Sequence, residues 1–148
     1  MRIKNYTNVA TSTIREMVRF AVPPGVAGFD VRVNNTGARF RGRAYAEGNS
    51  IHDRPCPFII VSIGRSERLP PIDVRHRGGY LPMPAMSREE MLLVLLAHEL
   101  RHLWQGRVKR GRRVYGARGQ YSERDADAYA LRALRHWRRG EPMSKGGN

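Results

Sequence analysis

Five consecutive residues, His98-Glu99-Leu100-Arg101-His102, carry the most specific chemistry in this chain. Read as H-E-x-x-H on a helix, they place two imidazoles at i and i+4, one turn apart on the same face. Two neutral imidazoles aimed at one point make half of a tetrahedral zinc site. Glu99 follows the first histidine directly, where a carboxylate can reach a water on the metal without binding the metal itself. Downstream, Ser122-Glu123-Arg124-Asp125-Ala126-Asp127 opens a second helical stretch. Glu123 and Asp127 again stand at i and i+4. Glu123 can be a third ligand, and Asp127 can accept a hydrogen bond from a ligand histidine. Two histidines exposed on the last turn of a buried helix would also serve solubility, but two motifs of matching chemistry are much less expected by accident than one.

The pair, H-E-x-x-H followed by E-x-x-x-D on the next helix, resembles the gluzincin clan of zinc metallopeptidases. The resemblance covers about residues 88–139, roughly the C-terminal third. It implies His98, His102 and Glu123 as zinc ligands, Glu99 as the catalytic carboxylate and Asp127 as the orienter of a ligand histidine. Twenty residues separate His102 from Glu123, which is similar to the compact gluzincins. The metzincin pattern needs a histidine six residues after His102, where Val108 stands.

The motifs need elements to hold them. Ser87-Arg88-Glu89-Glu90 fits a capping box in front of the apolar residues 91–97, predicting a helix from about Arg88 to about Trp104. The last helix is predicted from Ser122 to about Arg139. Its apolar face is Ala126, Tyr129, Ala130, Ala133, Leu134 and Trp137, and Gly140 and Pro142 close it. Residues 105–121 between the two helices are rich in glycine and arginine and read as a loop or loose hairpin at the mouth of the site. Tyr115 in this segment is the first candidate to stabilise an oxyanion, with Tyr121 and His136 as alternatives.

Upstream, residues 1–10 read as extended. Thr11, Ser12 and Thr13 offer N-caps to a helix reaching about Ala21. Its apolar positions are Ile14, Met17, Val18 and Ala21, and Pro23-Pro24-Gly25 ends it. Phe29, Val31 and Val33 alternate with polar residues as in a half-buried strand. Asn34-Asn35-Thr36-Gly37 predicts a hairpin turn into a return strand over residues 38–46. That strand would carry Arg39, Arg41, Arg43 and Tyr45 on one face. Residues 58–63 read as a strand covered on both faces. Residues 64–84 read as a long irregular connection. The expected architecture is α+β and zincin-like: an N-terminal helix, a small mostly antiparallel sheet, then two metal-site helices.

A length of 148 residues predicts one domain spanning 1–148, with a single core. No apolar run approaches a membrane span, and the first residues lack the pattern of a signal peptide. The lone Cys56 excludes an internal disulfide and fits a reducing compartment, so a cytoplasmic protein is expected. Against 13 Asp and Glu stand 27 Lys and Arg, nearly all Arg, for a net charge of +14. Such a field attracts nucleic acid or acidic proteins without specifying either.

The sequence therefore predicts a zinc-dependent endopeptidase acting on a protein or peptide substrate. Glu99 serves as general base, and an extended substrate can add to a sheet edge beside the motif helix. Residues 58–63 are the candidate edge. Two other readings compete. One is a basic nucleic-acid-binding module with a structural zinc, or a peptidase recruited to nucleic-acid-bound proteins. The other is an interaction protein without metal.

Overall fold

A computed structural model describes residues 1–35, 40–45, 57–64, 87–108 and 120–143, with side chains excluded at 107, 108, 120 and 121. The elements run β1 (Ile3–Asn5), α1 (Thr11–Ala21), β2 (Asp30–Asn34), β3 (Arg41–Tyr45), β4 (Phe58–Ser62), α2 (Arg88–Val108) and α3 (Gln120–Arg139). The fold is α+β: three helices and a four-stranded mixed sheet ordered β1-β2-β4-β3. Among the described residues, no helix is long and apolar enough to cross a membrane.

The sheet departs from the mostly antiparallel one expected. β1 pairs with β2 in parallel, β2 with β4 in parallel, and only β3 with β4 is antiparallel. The expected hairpin between β2 and β3 does not form, because β4 lies between them. Composition explains the order. Phe58, Ile59, Val61 and Ser62 of β4 are buried, on both faces of the strand, so β4 takes an interior position. β3 carries exposed Arg41 and Arg43 and tolerates an edge, where charge also discourages further pairing. β4 is therefore not the edge proposed for a substrate.

One face of the sheet is the core. Val31, Val33, Ile59 and Val61 are no more than 2% exposed, and Gly42 and Ala44 continue that face in register with Val61 and Ile59. The helices cover it, with α2 packing against α1, α3, β3 and β4. This central position explains why α2 is apolar around most of its circumference. Leu92, Leu93, Leu96, Leu100 and Leu103 are no more than 2% exposed, and burying each contributes about 1.5–3 kcal/mol. That packing fixes how α2 is rotated, and so where its histidines point.

Helix ends follow local chemistry. The capping box forms: Glu90 N donates to Ser87 Oγ at 3.1 Å, and Ser87 N donates to Glu90 Oε2 at 3.2 Å. Glu90 also accepts two hydrogen bonds from Arg138, at 2.8 and 2.9 Å, tying α3 to the start of α2. At the end of α3, Gly140 adopts φ 65°. Its N–H reaches Trp137 O and the Glu141 N–H reaches His136 O, as in a Schellman cap. α1 differs from expectation. It begins at Thr11 after Ala10, without a side-chain cap. Asn5 instead organises the turn, donating to Val9 O and Thr11 Oγ1 and accepting from Thr7 N. Tyr129 of α3 donates to Ala21 O at 2.9 Å, at the C-terminal end of α1.

Candidate metal centre

α2 runs a turn longer than predicted and α3 starts two residues earlier, so the motif residues lie on facing helices. His98 and His102 come from α2, and Glu123 and Asp127 from the first turns of α3. Arg101 holds the helices together here. Its guanidinium donates to Asp125 at 2.7 and 3.0 Å and lies 3.8 Å from the centre of the Trp104 ring. A planar guanidinium matches a carboxylate with two parallel bonds, the strong geometry for such a pair.

His98, His102 and Glu123 face one another. His98 Nε2 lies 3.0 Å from His102 Nε2 and 3.2 Å from Glu123 Oε2. His102 Nε2 lies 3.3 Å from Glu123 Oε1. A tetrahedral ion with bonds of 2.0–2.1 Å would separate its ligand atoms by about 3.3 Å, and the two ring nitrogens and the two Glu123 oxygens approach one another on that scale. Among the described residues, these three are the group that could hold a metal. Two imidazoles with a carboxylate suit a transition metal better than calcium or magnesium, which prefer all-oxygen sets.

Electrostatics favour positive charge in the same cluster. Burial works against a charged imidazole at His98, yet hydrogen bonds to Asp127 and Glu123, with the fields of Glu99 and Asp127, raise its pKa to about 10. The close approach of the His102 and His98 rings holds the Glu123 carboxyl far below its ordinary value, against the opposing effect of burial. A cluster of this kind needs a positive charge at its centre. The raised His98 pKa favours a proton there in the metal-free chain, and a metal would displace that proton.

Glu99 stands apart from the ligand set. It is 5% exposed, and burial raises its pKa, partly offset by His98 and His102 and reinforced by Glu123. Its side chain runs under β3. A Cβ built at Gly42 would fall 2.6 Å from Glu99 Cγ and 2.7 Å from Glu99 Cδ, nearer than real side-chain carbons come. Gly42 therefore leaves the room that Glu99 occupies. In the sequence Gly42 is one position in an alternating strand, and nothing local to residue 42 marks this contact.

Asp127 is 3% exposed and lies 3.0 Å from His98 Nδ1. An imidazole N–H donating there leaves Nε2 for a metal. Asp127→Ala is expected to weaken zinc binding about 10–100-fold while the chain still folds. Chelator competition measures it, and unchanged affinity would reduce Asp127 to a buried helix residue with no part in the site.

The proposed oxyanion partners are placed differently. Tyr115 lies outside the described residues, as does the side chain of Tyr121. His136 sits near the C-terminal end of α3, about 20 Å from Glu123 by helical rise, with Nδ1 3.5 Å from Glu141 Oε2. That distance removes it from the site. Arg39, Cys56 and the connection over 65–84 also fall outside the described residues. Sequence reasoning missed Gln105 and Ser122, 7% and 2% exposed, which lie against His102.

No family model, curated protein or solved structure matches this chain.

Proposed function

We propose that the chain is a zinc-dependent endopeptidase of the compact gluzincin type, with a zincin-like arrangement of sheet and metal-site helices. One observation carries this reading. His98, His102 and Glu123 converge at ligand spacing while a fourth group, Glu99, is buried beside them outside the ligand set. A purely structural zinc has no use for such a carboxylate, and structural sites are usually closed by four protein ligands. Here Glu123 remains 39% exposed, so the site is open on one side.

Zinc bound there would supply a Lewis acid toward a carbonyl and lower the pKa of a water. Glu99 takes the proton from the attacking water as its oxygen bonds to the scissile carbon. It then delivers that proton to the nitrogen as the C–N bond breaks. A carboxyl whose pKa is raised by burial is suited to both halves, since it can hold a proton nearer neutral pH. Asp127 keeps the His98 ring oriented. Tyr115, outside the described residues, is the first candidate donor to the oxyanion. An extended substrate segment would lie along β3, the edge strand that passes over Glu99 at Gly42.

The experiment is metal analysis of the purified chain with cleavage of a panel of unfolded proteins. One zinc per chain is expected. Chelation should abolish cleavage and added zinc should restore it. Cleavage that persists in chain shown to be metal-free would rule the reading out.

A further inference from the structure

Gln105 lies one turn after His102 on α2, and its amide is held at both ends. Nε2 is 3.0 Å from the Ser122 carbonyl and 2.8 Å from Asp125 Oδ2. A carbonyl only accepts, and Asp125 accepts from Arg101 through both carboxylate oxygens. The NH2 group must therefore face α3, which assigns the amide without ambiguity. Oε1 then faces His102 Nδ1 at 2.8 Å, and the Ser122 hydroxyl donates its one proton to the same oxygen. An amide oxygen cannot donate. The remaining proton in the contact must be on His102 Nδ1, so in the neutral ring that a metal requires the lone pair is on Nε2, the atom facing His98 and Glu123.

We propose that Gln105 is a positioning residue that fixes the tautomer and ring orientation of His102 for metal ligation. Arg101, Asp125 and Ser122 hold its amide in the one orientation that can do so. The inference rests on the proposed zinc site. It gives His102 a neutral acceptor where His98 has the carboxylate of Asp127, so the two ligand rings are oriented by different chemistry from different helices.

The competing role for Gln105 is a tie between α2 and α3, and two variants separate the roles. Gln105→Met removes both acceptor and donor at similar volume. Gln105→Glu keeps an acceptor for His102 but loses the donor to Ser122 and sets a carboxylate against Asp125. Positioning predicts that zinc affinity follows the acceptor: Gln105→Glu stays near wild type, and Gln105→Met falls about 10–100-fold. Thermal midpoints of the metal-free chains should follow the donor instead, with both variants below wild type and Gln105→Glu no higher than Gln105→Met. The two orders then differ. A tie alone predicts one order for both readouts. In addition, NMR of the histidine ring nitrogens in zinc-loaded wild type should find His102 protonated at Nδ1, a measurement that needs no variant. Zinc bound equally by wild type and Gln105→Met, Gln105→Glu binding more weakly than Gln105→Met, or the opposite tautomer at His102 would overturn this inference alone. Wild type that takes up no zinc would overturn the proposed function with it.

Discussion

Glu99→Gln is expected to keep its zinc, keep its fold and lose its peptidase activity. Glutamine matches glutamate in shape, so the space that Gly42 leaves is still filled. The side chain is not part of the ligand triangle, so zinc stoichiometry should not change. Burial already disfavours the ionised carboxyl at this position, and a neutral amide removes that penalty. The thermal midpoint at neutral pH should therefore equal or exceed that of wild type. Activity should fall about 10²–10⁴-fold, the range for loss of a general base. The measurements are zinc content, thermal melting and cleavage of an active substrate from the panel. Loss of zinc would make Glu99 a ligand. Full activity in the variant would take Glu99 out of the mechanism.

The His98→Ala, His102→Ala double variant is expected to bind no zinc and to have no activity, because a lone carboxylate does not hold the ion. It should also lose a pH signature. In the metal-free wild type, the folded His98 pKa of about 10 lies above its ordinary value of 6.5. Its stabilisation is thus fully present below about pH 6.5 and lost as pH rises through 10. The lowered Glu123 pKa gives the opposite sign: stabilisation present above its ordinary value of 4.5 and lost as pH falls further. Zinc requires the deprotonated histidines, so its affinity should rise with pH as it displaces the His98 proton. The gap between zinc-loaded and metal-free melting temperatures should accordingly widen from pH 5 to pH 8 in wild type and be absent in the double variant. Melting curves with and without zinc across that range decide it. A double variant that still binds stoichiometric zinc would place the metal elsewhere.

The features legible in the sequence are those fixed by short range. The capping box at Ser87 and Glu90, the buried stripe of α1 and the closure of α3 at Gly140 each depend on residues within a turn or two. The same periodicity put His98 with His102, and Glu123 with Asp127, on common helix faces. Convergence of the two helices was an inference from matching chemistry, and the helix pairing brings the four residues together. Strand order was not legible. Alternation in residues 29–33 and 38–46 says which side chains share a face but not which strand is the neighbour, and a turn-like Asn-Asn-Thr-Gly favoured a hairpin that β4 displaces. The glycines and like charges of residues 105–121 place Gln105 at the start of a loop in the sequence. Its bonds to Ser122 and Asp125 accompany one more turn of α2, and they depend on residues far away in the chain.

The place of β3 in the sheet has a dynamic consequence. Among the described residues β3 has one strand neighbour, β4, and an edge strand can detach in a local fluctuation that leaves the rest of the core intact. Gly42 rides on that strand. When β3 lifts, Glu99 meets water, the burial that raises its pKa is relieved, and the carboxyl moves back toward an ordinary acidity. Access of water to the Glu99 carboxyl thus depends in part on breathing of the sheet edge.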